Sequence, residues 1–281
     1  MTPATPATPS TPTRWVILAS SRPGAETSAV DGWLAAVNDL ANRSTNVLDS
    51  DAGRVLPGSV ADADVSEAVK GALVGVFFNQ GEVCCAGTRL FVEQKMHDEF
   101  ADAVAKAAGS MKQGPGIEAT TQVGPLVSQE QLERVTGYLD IGKKEGAKVL
   151  TGGERNTAPG LEGGYFVKPT VFTGVRNDMR IAREEIFGPV VALIPFKDEN
   201  DAVLQGNDTN YGLAAGVWTR DVSKAHRVAR AIRAGTVWVN CYNVFDVVGP
   251  FGGYKQSGYG RELGRAALEL YTQTKSVWLR I

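Results

Sequence analysis

A parallel α/β sheet covered by helices on both faces is the fold class this sequence predicts, and two observations point to it. From Asp64 onward, short apolar runs suited to buried strands alternate with segments of helical periodicity. Two glycine-rich stretches, GPGIEATTQVGP and GGERNTAPGLEGG, read as turns between those elements. At 281 residues, 43% of them hydrophobic, the chain is also long enough to bury a substantial core.

The opening MTPATPATPSTPT alternates Thr, Pro and Ala, a composition that blocks helix and sheet, so a disordered or extended tail is expected. Residues 28–43 carry Val30, Trp33, Leu34, Val37 and Leu40 at helical spacing and are expected to form an amphipathic helix. No chemistry attaches to the loose run after it, and residues 1–60 form a tail and an unassigned segment. DVSEAVKGALVGVFF then shows an Asp-x-x-Glu capping pattern and one apolar stripe through Val65, Ala68, Val69, Leu73, Val76 and Phe77. After this helix come a strand at TRLFVEQ, a helix through Phe100 and Val104, and a helix opening at Ser128 and closing near Gly146. Further strands are expected at 147–151, 166–173, 190–196, 213–219 and 236–240, with helices at 198–205 and 221–234, the latter stopped by Gly235. The terminal TKSVWLRI reads as an apolar strand with no partner in the chain, which suggests pairing across a subunit boundary.

Composition narrows the function. The net charge of -2, with acids and bases interspersed, marks no nucleic-acid or membrane partner, so a small molecule is the expected ligand. No apolar run approaches the roughly 18 residues of a membrane span, and a cytoplasmic protein is expected. Three cysteines and two histidines support neither a disulfide framework nor a zinc site. His97 and His226 sit among charges on helical stretches and read as solvated.

The segment FFNQGEVCCAGTR sets adjacent cysteines, Cys84 and Cys85, in a tight glycine-rich stretch just after a helix. Backbone N–H groups in such a stretch can lower a thiol's pKa and stabilise an oxyanion formed when the thiolate attacks a carbonyl. The residues alone leave Cys84 open between a nucleophile and an inert thiol. Gly253 and Gly258 in GGYKQSG lack the Gly-Lys-Ser/Thr ending of a phosphate cradle.

FFNQGEVCCAGTR, EEIFGPV, NYGLAAGVWTRD, GTVWVNCYNVF and PFGGYKQSGYGRELG resemble the successive signature blocks of the NAD-dependent aldehyde dehydrogenases, with similarity running from about Ala61 to Ile281. The resemblance implies a catalytic domain of aldehyde dehydrogenase type at 61–270 and a C-terminal oligomerisation strand at 271–281. It places the nucleophile on Cys84, with Val83 and Cys85 lining the substrate tunnel. The implied chemistry takes an aldehyde to a carboxylic acid through a thiohemiacetal and a thioester, with NAD as the hydride acceptor and NADP not excluded. Glu185 and Phe187 fall on the nicotinamide ribose and ring positions, a role for which a carboxylate can accept two hydroxyls at once. As bare residues they read rather as a solvated or paired acid and a core aromatic. Gln131 and Arg134 align with cofactor-side positions, although Gln131 also completes a Ser-x-x-Gln capping box. Phe245 and Phe251 match aromatics at the substrate mouth, where a core role is the alternative, and Asn240 matches an asparagine that could hold the loop.

The resemblance begins just after the point where the family carries a Glu-Leu-Gly-Gly-Lys block with its general base. The upstream residues lack the glycine-rich turn of a dinucleotide fold. A truncated family member is therefore expected, acting as a homo-oligomer or with a partner chain that supplies the cofactor domain. A non-catalytic remnant or assembly subunit and a cofactor-free thiol esterase are the alternatives.

Overall fold

The computed structural model describes residues 16–19 and 63–281. The expected N-terminal tail and the helix at 28–43 lie outside the described residues. Among the described residues seven strands build one sheet: β1 Val16–Ala19, β2 Arg89–Glu93, β3 Lys148–Thr151, β4 Thr170–Thr173, β5 Val190–Phe196, β6 Ala214–Trp218 and β7 Thr236–Val239. Their order across the sheet is β3-β4-β5-β2-β1-β6-β7. The helices are α1 Val65–Phe77, α2 His97–Gly109, α3 Gln129–Lys144, α4 Arg180–Arg183, α5 Glu199–Asn207 and α6 Val222–Ala231.

The sheet is mixed rather than wholly parallel. β2 with β5, β4 with β5, and β6 with β7 pair in parallel as expected. β3 returns antiparallel to β4, because the Gly- and Pro-rich link between them holds no crossover helix. β1 runs antiparallel to both β2 and β6. It was not anticipated, since its four residues lie far upstream of the alternating pattern.

Strand alternation divides the core in two. Along β5, Val190, Ala192, Ile194 and Phe196 join one apolar cluster with α3 and α6, whereas Val191 and Leu193 join the other with α1 and α2. Asp64 and Ser128 cap α1 and α3 by accepting the Glu67 and Gln131 backbone N–H groups, at 3.1 Å each. These caps fix where each helix starts, and so where the residues just beyond its ends fall. β4 starts later than expected, with Val167 making only an isolated bridge to Arg155, and α6 ends at Ala231 rather than 234.

TKSVWLRI is assigned to no strand, and Val277, Trp278, Leu279 and Ile281 are exposed. No helix among the described residues is long and apolar enough to cross a membrane.

Candidate active site

The α1 helix ends at Phe77 and runs into a 3-10 turn, Phe78–Gly81, in which Asn79 (φ 47°) and Gln80 (φ 46°) are left-handed. Two successive non-glycine residues in that region are costly, so their neighbours must hold them. Asn79 Nδ2 donates to the Glu82 carbonyl (3.1 Å), Glu82 N donates to the Asn79 carbonyl (3.0 Å), and Gln80 Nε2 donates to Glu82 Oε2 (3.1 Å). Gly81 is left-handed as well (φ 77°), and a Cβ there would collide with the Gly188 backbone. The chain then makes a tight turn closed by Ala86 N donating to the Val83 carbonyl at 3.0 Å, with Cys84 and Cys85 at its two central positions.

The two cysteines differ in environment. Cys85 is 1% exposed, and its Sγ donates to Asn243 Oδ1 at 3.3 Å. A hydrogen bond with Cys84, together with burial, pushes the Cys85 thiol well above its usual range. Cys85 is thus held as a buried thiol in the core, within the apolar cluster against which Val83 and Cys84 also pack. The turn sends consecutive side chains to different sides, and the inward place falls to Cys85. Cys84 is half-buried and, like Val83, Cys241, Phe245 and Phe251, packs against the margin of the α1–α2 apolar cluster.

The far wall of that margin is an aromatic chain. Trp218 stacks on Tyr242 (ring centroids 6.2 Å apart), Tyr242 meets Trp238 (4.7 Å), Trp238 meets Phe245 edge-on (5.4 Å), and Phe245 meets Phe251 edge-on (5.2 Å). Tyr242 donates its hydroxyl to the Cys85 carbonyl at 2.7 Å, which binds this wall to the cysteine turn. Burial above all raises the Tyr242 pKa well above its usual value, so the hydroxyl remains a donor. Asn240 makes both of its amide bonds, at 2.9 Å each, to the Thr219 backbone. It holds the end of β7 against the segment after β6.

A second group forms on the loop 184–188. Phe187 is left-handed (φ 59°), and Gln131 Nε2 donates to the carbonyls of Phe187 (2.7 Å) and Ile186 (3.1 Å). Arg134 donates to the Glu185 carbonyl. Tyr138 donates to Glu184 Oε2 at 2.8 Å, and Arg180 holds the same carboxylate through two nitrogens at 2.8 and 2.9 Å. That pairing keeps the Glu184 carboxyl below its usual range. Gln131 and Arg134 therefore hold the backbone of the loop that carries Glu185 and Phe187. Val83, Cys84, Phe245 and Phe251 all pack against the α1–α2 cluster, and Gln131 and Arg134 bond the backbone of the loop of Glu185 and Phe187. The close approach of Gly81 and Gly188 joins the two groups.

The sequence reading missed Glu82, Tyr242, Asn243 and Gly188. Glu82, two residues before the candidate nucleophile, was the one with a visible signal.

The aldehyde dehydrogenase family model matches residues 59–277. The chain belongs to the aldehyde dehydrogenase family. It is 52% identical to an aldehyde dehydrogenase of Emericella nidulans over 220 residues, 78% of this chain and 44% of that protein. It is 49% identical to a betaine aldehyde dehydrogenase of Mesorhizobium japonicum over 218 residues, 78% of this chain and 45% of that protein. Among solved structures, an NAD+ complex of aldehyde dehydrogenase from Bacillus cereus superposes with a TM-score of 0.75 at 53% identity, covering 78% of this chain and 44% of that one. The chain thus spans under half the length of the aldehyde dehydrogenases it matches.

Proposed function

We propose that this chain carries the covalent half of an NAD-dependent aldehyde oxidation. The observation that carries the reading is the asymmetry of the cysteine pair, with Cys85 locked as a buried thiol donor and Cys84 left at the apolar margin. The Cys84 thiolate adds to the aldehyde carbon, forming the S–C bond while the carbonyl oxygen takes the charge. N–H groups of the turn are the oxyanion donors nearest the sulfur in sequence. After oxidation at that carbon, water cleaves the thioester, which releases the carboxylate and restores the thiol.

NAD, when bound, supplies the hydride acceptor for this oxidation, and the donor set of the 184–188 loop suits its nicotinamide end. The Glu185 carboxylate can accept ribose hydroxyls, with Oε1 turned inward from solvent, and Phe187 offers a half-buried aromatic two residues on. The adenosine end would be held by residues outside those described, in this chain or in a partner polypeptide. Val83, Phe245 and Phe251 favour an apolar or aromatic aldehyde. The exposed run at Val277–Ile281 supports self-association through the chain's end.

The deciding experiment follows NADH formation by the full chain with NAD and a simple aromatic aldehyde, beside Cys84→Ala and Cys85→Ala. Turnover lost in Cys84→Ala and kept in Cys85→Ala is the expected result. Turnover that survives Cys84→Ala overturns the assignment. Ester cleavage without any NADH formation would instead make the chain a thiol esterase.

A further inference from the structure

Two residues that touch neither each other nor Cys84 in any described contact end on the same short stretch of chain. Glu82 Oε1 accepts the Val127 N–H at 3.1 Å, one residue before the Ser128 cap of α3. Gln131, whose own N–H the Ser128 cap takes, sends its side chain to the carbonyls of Ile186 and Phe187. Consecutive carbonyls of an extended strand point to opposite sides, so one amide can take both only because the chain turns left-handed at Phe187. Between the two anchors, Gly81 and Gly188 meet backbone to backbone with no side chain to cushion a shift.

We propose that Glu82 and Gln131 are positioning residues that tie the Cys84 turn and the Phe187 loop to the N-terminal end of α3, so that both are placed by one rigid element. The proposal rests on the reading of Cys84 as nucleophile and of Phe187 as cofactor-side. Its physical content is distance control. Nucleophile and acceptor must be held to within a fraction of an ångström, and neither the turn nor the loop belongs to a regular element that would do so. α3 runs from Gln129 to Lys144 with its N-terminus capped, and it packs Leu132, Val135 and Leu139 into the core. It is the rigid body both segments share. Val135 also lies where a Cβ on Gly188 would fall, so the helix sets the approach of the loop directly.

Charge and position make opposite demands on Glu82, and this separates them experimentally. A carboxylate near a thiol disfavours the thiolate, so charge alone predicts the same change in Glu82→Ala and Glu82→Gln. Positioning predicts a change only in Glu82→Ala, because the glutamine oxygen can still accept the Val127 N–H, while the bond from Gln80 to Oε2 is lost in both variants and does not separate them.

The test is the rate of iodoacetamide alkylation of Cys84 in the full chain, measured by peptide mass across pH 6 to 10, on the order of one unit per step. Cys241 in the same digests is the internal control, and thermal unfolding is followed in parallel. Glu82→Ala and Gln131→Ala are each expected to change the Cys84 rate on the order of tenfold, with Glu82→Gln within about twofold of the parent chain. Equal effects of the two Glu82 variants, or a parental Cys84 rate in Gln131→Ala, would overturn the proposal. If Gln131→Ala fails to fold, Gln131→Glu keeps the side chain's size while turning an acceptor towards the two carbonyls, and it is judged by the same criterion. NADH formation plays no part in this readout. A Cys84 no more reactive than Cys241 in the parent chain would count against the nucleophile reading, separately from the outcome for the variants.

Discussion

The cysteine turn and the 184–188 loop use the same device, left-handed non-glycine residues, and hold it in opposite ways. Most of the turn's bonds are local. Asn79, Gln80 and Glu82 bond among themselves across three positions, and Ala86 closes onto Val83. The side chains that hold the loop backbone come from α3, and Arg180 joins them at Glu184. Local bonds form as soon as the chain takes the conformation, whereas remote ones exist only after α3 has packed. Strain at the turn is therefore a property of a short peptide, and strain at the loop is a property of the whole domain.

The sharpest way to break the contrast is to strike where the two regions meet. Gly81→Ala places a methyl group against the Gly188 backbone in a left-handed conformation, and a loss of roughly 3 kcal/mol or more is expected in urea unfolding. A loss under about 1 kcal/mol would mean that the two segments slide past each other freely. Next in size is Cys85→Ala, which removes the Sγ donor to Asn243. Asn243 is itself 1% exposed, and its Nδ2 already has no hydrogen-bond partner among the described residues. About 1–2 kcal/mol of destabilisation is expected with Cys84 still alkylated; the check is denaturant titration beside peptide mass.

On the loop side, Tyr138→Phe deletes the bond to Glu184 and keeps the ring against Arg134 and Arg180. A cost of about 1 kcal/mol is expected, with increased hydrogen exchange confined to 184–188. The smallest effect is electrostatic. Glu184 has its pKa lowered by the hydrogen bond from Arg180, below the ordinary 4.5, so its pairing contributes fully above that pH and is lost as pH falls through the depressed value. The Glu184 side chain is 40% exposed, and solvent screening limits the contribution to within about 1 kcal/mol. Parent and Glu184→Gln should therefore differ in stability at pH 7 and converge as the pH is taken below 4.5 and through the depressed value. A constant difference across that range would place the contribution in packing.

How far the sequence could be read follows from which forces are local. The helices showed because apolar spacing and side-chain caps lie within a few residues: Asp64 and Ser128 were visible as cap positions and act as caps. β5 was read with its observed bounds because seven consecutive residues, all but Pro195 buried, leave a continuous apolar run. β1 was not, because four residues from far upstream carry no periodic signal, and their place between β2 and β6 depends on partners that only folding supplies. The reversed direction of β3 was legible in principle, since a Gly- and Pro-rich link cannot serve as a crossover helix.

At the site, the sequence by itself determined the chemical inventory: a cysteine pair in a glycine-rich turn, an acid and an aromatic in EEIFGPV, and aromatics after β7. It also determined the family, because that inventory recurs in order along most of the chain. Only the tertiary structure decided which cysteine faces the core, that Gln131 and Arg134 bond the loop backbone, and that Glu82 reaches Val127. The physical reason is range. Caps, turns and periodicity are set by neighbours within about a helical turn, whereas a side chain's partner across the fold is fixed only when two elements pack.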